Sequence, residues 1–144
     1  MIKARDVMTT SLVTVRPQDT VGRAIDLLLR HRISGLPVVD DQMHLVGIVS
    51  EHDLLHLLFD TVHENEQVSL FMNPNVETVR EADSVVSVAE RFAEKMYRRL
   101  PVTRGNRLVG MISRHDLIRL IRDVRSTLQT KLHAIETASQ ATSA

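Results

Sequence analysis

The chain has 144 residues, 43% hydrophobic and 25% charged, with 18 basic residues balancing 18 acidic ones. This describes a soluble globular protein with one good core or two small ones sharing an interface. Zero net charge and 3% aromatics without Trp argue against a phosphate backbone or stacked bases as partner, and the absence of Cys excludes disulfides and thiolate chemistry.

From the N-terminus, Met1 to Asp6 leads into alternating residues instead of an apolar leader, and no apolar run reaches the roughly 18 residues that span a bilayer. The expected location is the cytoplasm, with no membrane partner. Met8 through Asp60 can then be laid over Met72 through Asp123 at a spacing of about 64 residues. In the first copy, Thr14-Val15-Arg16 is a short extended segment and Asp19-Thr20 caps a helix carrying Val21, Ala24, Ile25, Leu28 and Leu29 on one stripe. Leu36 to Val39 and Leu45 to Val49 form a predicted hairpin, and a second helix starts at about Glu51. The polar stretch Thr61 to Leu70 is the expected linker.

The second copy repeats this order. Thr78-Val79-Arg80 and Asp83-Ser84 precede a stripe of Val85, Val88, Ala89, Phe92, Ala93 and Met96, and Leu100 to Thr103 with Leu108 to Ile112 is the second hairpin. The register slips by one residue between Asp40-Asp41-Gln42 and Arg104-Gly105-Asn106, where a turn absorbs a deletion. A last helix from about Arg114 continues through Leu117, Ile121, Val124, Leu128, Leu132 and Ile135, an apolar edge expected to pack on another copy or on its own core. Glu136 to Ala144 is small and polar and is expected to fray. The predicted division is 1–60 and 71–123 for the copies, 61–70 for the linker and 124–144 for the extension and tail.

The most informative repeated element is Gly47-Ile48-Val49-Ser50-Glu51-His52-Asp53, echoed by Gly110-Met111-Ile112-Ser113-Arg114-His115-Asp116. Ser-x-x-Asp at a helix start forms a capping box and needs no ligand. The same geometry offers amides and a hydroxyl to a phosphate, and a carboxylate to the hydroxyls of a ribose. His52 and His56 share a helix face, but no third metal ligand is indicated. Ser50, His52 and Asp53 are too close along one helix to converge as nucleophile, base and orienter, so no catalytic residues are assigned.

Taken together, these motifs resemble the cystathionine-β-synthase (CBS) domain family in its tandem form, the Bateman module. The resemblance rests on the two Gly-apolar-Ser-x-x-Asp elements, on Ile33-Ser34-Gly35-Leu36-Pro37 and Tyr97-Arg98-Arg99-Leu100-Pro101, and on Thr14 and Thr78 near the start of each copy. It implies a mixed α/β (α+β) fold of two motifs, each β-α-β-β-α, packed about a pseudo-twofold with two clefts between them. In many relatives such clefts bind AMP, ADP, ATP or S-adenosylmethionine; no cofactor is required. Carried over, Asp53 and Asp116 would hold ribose hydroxyls, and Ser50, Ser113, Thr14 and Thr78 would contact phosphate or nearby polar atoms. The backbone of Ile33 to Leu36 and of Tyr97 to Leu100 would read the adenine edge, with Pro37 and Pro101 near the base.

Cations for a phosphate would come from His31 and Arg32, from Arg98 and Arg99, and from Arg114 and His115, whereas Glu51 stands where Arg114 does. The cleft containing Asp116 is therefore expected to bind a nucleotide more tightly than the one containing Asp53. The resemblance implies a non-catalytic sensor of adenosine-containing ligands, a homodimer joined through its helices, acting allosterically on a separate regulated protein. One alternative is a dimeric scaffold with empty clefts. A second is a nucleic-acid-associated regulator using Arg98, Arg99, Arg104 and Arg107, which the zero net charge disfavours.

Overall fold

The computed structural model describes residues 1–59 and 65–142. Its first half carries α1 (Ala4–Val7), α2 (Val21–His31), the strands β1 (Gly35–Val39) and β2 (Leu45–Ser50), and α3 (Glu51–Leu54), which tightens into a 3-10 turn over Leu55–Leu58. The second half carries a 3-10 turn over Val68–Leu70, then β3 (Val79–Arg80), α4 (Val85–Glu94), β4 (Arg99–Arg104), β5 (Arg107–Ser113) and α5 (Arg114–Thr142). In each half an antiparallel hairpin takes a parallel neighbour on its first strand. That neighbour is β3 on β4 in the second half and the single bridge Val15 to Val38 in the first. The tandem β-α-β-β-α reading is therefore correct.

Local chemistry fixes the elements. Thr20 accepts the amide of Arg23 at the start of α2, which ends where Arg32 turns left-handed at φ 53°. Ser84 accepts the amide of Val86 at the start of α4. That helix stops at Glu94, because Lys95 is extended, so Met96 leaves the predicted stripe and is 90% exposed, while Ala89 and Ala93 are helical but exposed. Leu29 is exposed as well, leaving Val21, Ala24 and Leu28 as the buried face of α2. The one-residue slip lies in the turns: Asp40 and His44 flank three residues closed by Met43 at φ 65°, whereas Arg104 and Arg107 flank Gly105-Asn106, with Gly105 at φ 60°.

Each half has its own core, around Leu36, Val38 and Val49 in one and around Leu100, Val102 and Ile112 in the other. The halves join where Val39 and Leu45 meet Leu108, and where His44 bridges Arg107 across the two hairpin turns. They also exchange their lead-in segments. The amide of Ala4 donates to Asp83 O at 2.8 Å and Ala4 is buried in the second core; the amide of Val68 donates to Asp19 O at 2.8 Å and Val68 is buried in the first. The end of the expected linker thus builds core. Its polar residues Glu66 and Gln67 hid the one buried valine, and residues 60–64 lie outside the described residues.

Only the start of α5 belongs to the body, with Leu117 buried in the second core. Ile121, Val124, Leu128, Leu132 and Ile135 are exposed, so this edge does not pack on the chain's own core. The helix runs on over Glu136 to Thr142, where fraying is expected from composition; Ala134, Ala138 and Ala141 favour continuation. Among the described residues no helix is long and apolar enough to cross a membrane.

Candidate ligand clefts between the two halves

The Ser-x-x-Asp elements both form capping boxes. The Asp53 carboxylate accepts the Ser50 amide and hydroxyl, each at 2.8 Å, and the Ser50 hydroxyl accepts the Asp53 amide at 3.3 Å. At the second site the corresponding distances are 2.8, 3.0 and 3.1 Å between Ser113 and Asp116. In each case a single carboxylate oxygen, Oδ2, does the capping, and Oδ1 stays outside the capping box. At Asp116 that oxygen receives Arg119 at 3.2 Å and the Thr9 hydroxyl at 3.5 Å. His52 packs edge-on against His56, with ring centroids 6.3 Å apart, and takes no part in either capping box. Among the described residues no group of three or more potential ligands could hold a metal ion.

Each carboxylate opens into a cleft whose far wall comes from the other half. The Asp116 cleft, about 270 Å³, sets Met111, Ser113 and Asp116 against Thr9, Ser11, Val13, His31, Ile33, Gly35 and Pro37. The Asp53 cleft, about 410 Å³, sets Ile48, Ser50, His52 and Asp53 against Asn73, Asn75, Val76, Glu77, Tyr97, Leu100 and Pro101. Arg99 lines both. Between them lies a groove of about 620 Å³ walled by Arg32, Ile33, Ser34, Glu51, Arg98, Arg99, Ser113, Arg114, His115 and Ile118. A smaller apolar depression joins Ser34, Gly35 and Pro37 to Met96, Tyr97 and Arg98.

The predicted residues are therefore brought together with few exceptions. Thr14 and Thr78 line none of these cavities; the carbonyl of Thr78 instead accepts Arg91 at 2.6 Å. The Leu36 side chain is buried in the first core. The polar wall that the threonines were expected to supply comes from Thr9 and Ser11 in one cleft and Asn73 and Asn75 in the other. These follow Met8 and Met72 at the same repeat positions, so the repeat register holds the signal. Both methionines lie against the glycines of the opposite half: a Cβ at Gly47 would stand 2.8 Å from Met72 Sδ, and one at Gly110 would clash with Met8.

Charge is distributed unevenly. Glu77, on the Asp53 cleft, is paired with Arg91 at 3.5 Å and Lys95 at 3.1 Å. Among the described residues none of Arg32, Arg98, Arg99 and Arg114 forms an ion pair, so the groove carries a surplus of cations.

Residues 4–60 and 66–123 each match the CBS domain. The chain belongs to the CBS domain family. It is 32% identical over 145 residues to the chloroplastic CBS domain-containing protein CBSX2 of Arabidopsis thaliana, covering 79% of this chain and 61% of that protein. It is 34% identical over 118 residues to the inosine-5'-monophosphate dehydrogenase of Methanocaldococcus jannaschii, covering 81% of this chain and 23% of the enzyme. It thus spans less than two thirds of the length of either relative. Among solved structures, CBSX2 in complex with AMP superposes with a TM-score of 0.77 at 31% identity, covering 87% of this chain and 99% of that one. The CBS domain pair of protein MJ0100, in complex with 5'-methylthioadenosine and S-adenosyl-L-methionine, gives 0.71 at 26% identity, covering 85% and 98%. The tandem CBS pair is thus the frame in which both clefts sit.

Proposed function

We propose that this CBS pair is a non-catalytic regulatory module that takes an adenosine-containing ligand in the clefts between its halves and passes its occupancy to a partner protein. The observation that carries the reading is the crossed construction of both clefts, with a capped Ser-Asp pair from one half facing the Ile33–Pro37 or Tyr97–Pro101 wall of the other. The AMP-bound and S-adenosylmethionine-bound CBS pairs among the similar structures support the adenosine class. The unpaired arginines of the groove favour a phosphorylated nucleotide over a sulfonium ligand, which carries positive charge. Asp and Ser hydrogen-bond the ribose edge, Pro37 and Pro101 give apolar contact to the base, and the groove receives phosphate.

The Asp116 cleft is the tighter of the two in this reading, because the cationic groove shares Ile33, Arg99 and Ser113 with it and only Arg99 with the Asp53 cleft. A ligand spanning both halves shifts their relative orientation, which a partner feels as a coupling free energy of about 1–3 kcal/mol. The exposed apolar edge of α5 suits twofold pairing with a second copy. That edge also favours a second reading, an interaction scaffold, since the capping boxes account for Ser50, Asp53, Ser113 and Asp116 without any ligand.

Thermal unfolding with AMP, ADP, ATP and S-adenosylmethionine separates the two. Binding confined to the native state stabilises by about 2.7 kcal/mol at a hundredfold excess over Kd. The ligand reading expects a nucleotide-specific rise in Tm, with S-adenosylmethionine the weakest; no rise with any of the four supports the scaffold.

A further inference from the structure

Aligned by their repeat, three positions on the cleft and groove walls are more cationic in the second half, whereas Arg32 of the first half has Met96 as its counterpart. Ser34, Gly35 and Glu51 of the first half correspond to Arg98, Arg99 and Arg114 of the second. The backbone does not demand glycine at position 35: a Cβ there would meet ordinary contacts, the nearest being Val49 O at 3.5 Å. Gly35 nevertheless offers no side chain where Arg99 offers a long cationic one, so Arg99 has no twin across the pseudo-twofold.

Arg99 lines the Asp116 cleft, the Asp53 cleft and the groove between them. Its backbone is fixed in β4 opposite Ser113, and among the described residues its side chain has no carboxylate partner. A guanidinium has several N–H donors but one charge, and two anions drawn to it from opposite sides share that attraction while repelling each other.

Resting on the ligand reading above, we propose that Arg99 couples the two clefts, so that a nucleotide phosphate held by Arg99 from one cleft weakens the binding of a second nucleotide in the other. The module then responds in two steps over a wider concentration range than two independent sites. Because the groove is open to solvent and salt, the effect belongs at the low end of known couplings, about fivefold in affinity. It requires phosphate: adenosine, which has none, fills the two clefts independently.

The test is calorimetric titration of ADP and of adenosine into the unmodified chain and into Asp53→Ala and Asp116→Ala, each of which leaves one cleft complete. The expected result is a second ADP step about fivefold weaker in the unmodified chain than the same cleft shows alone. Adenosine should give steps that match the single-cleft values, and with Arg99→Gln added to all three chains the ADP steps should match the single-cleft values of that background. ADP steps equal to the single-cleft values would overturn the coupling and leave the ligand reading intact. Absence of ADP binding to the unmodified chain would overturn both. Should either Asp variant fail to fold, the unmodified chain and Arg99→Gln decide together: from about 0.01 M to about 1 M salt, as the screening length falls from about 30 Å to about 3 Å, the ratio of the two ADP constants must narrow more in the unmodified chain than in Arg99→Gln. Equal narrowing in both would contradict the inference.

Discussion

The two halves of the chain have matching cores and differ at the rim. Leu36 and Leu100, Pro37 and Pro101, and Ser50 and Ser113 occupy the same places in both, and each half keeps its capped Asp. Around the groove the first half presents Arg32, Ser34 and Glu51 and the second Arg98, Arg99 and Arg114. Burial constrains the shared set, since packing penalises changes in volume and shape. The rim is free of that constraint, and its charge is what distinguishes the surroundings of the two similar clefts.

Deep substitutions should affect the halves alike. Leu36→Ala and Leu100→Ala are each expected to cost about 2–5 kcal/mol, measured by urea unfolding. Comparable losses in one cooperative transition would fit two halves joined by exchanged segments; a separate early transition in either variant would break that equivalence.

The exchange itself is probed at the glycines. Gly47→Val and Gly110→Val push into Met72 and Met8, and each is expected to cost about 1–3 kcal/mol. Adding Met8→Ala to Gly110→Val should recover part of the loss, a non-additivity that reports direct contact. Fully additive losses would mean that Met8 does not press on Gly110.

The smallest difference lies in the hairpin turns. Asp40 accepts the backbone amides of His44 and Gln42 and pairs with the His44 ring at 3.2 Å, and the His44 amide bond is the main reason its pKa lies below the ordinary 3.8. A depressed folded-state pKa means stabilisation that is present above about pH 3.8 and is lost as the pH falls through the lower folded value. Asp40→Asn should therefore flatten the acid limb of stability in that window. The second turn has Arg104 at this place, and its acid response runs through Glu81, whose carboxyl is held below its ordinary value chiefly by the Arg104 hydrogen bonds at 2.6 and 3.1 Å.

Most of this architecture was legible in the sequence because the chain states it twice. A helix stripe seen once is ambiguous, but Asp19-Thr20-Val21 and Asp83-Ser84-Val85 in register locate two caps, and the slip between Asp40 and Arg104 locates two turns. The exchanged segments were not legible: Val68 follows the polar run Glu64 to Gln67 and Ala4 sits among charged residues, so neither belongs to a repeated stripe. For that reason Thr9, Ser11, Asn73 and Asn75 were missed as cleft walls, and Thr14 and Thr78 were expected in their place. The exposed edge of α5 was visible as an apolar stripe, but a stripe does not say what covers it.

Amide chemical-shift mapping of the full chain titrated with ADP tests the central claim most directly. The account predicts perturbations at Ser50 to Asp53, Ser113 to Asp116, Ile33 to Leu36 and Tyr97 to Leu100, with those around Asp116 saturating first. Shifts confined to α5, or none at saturating ADP, would contradict it.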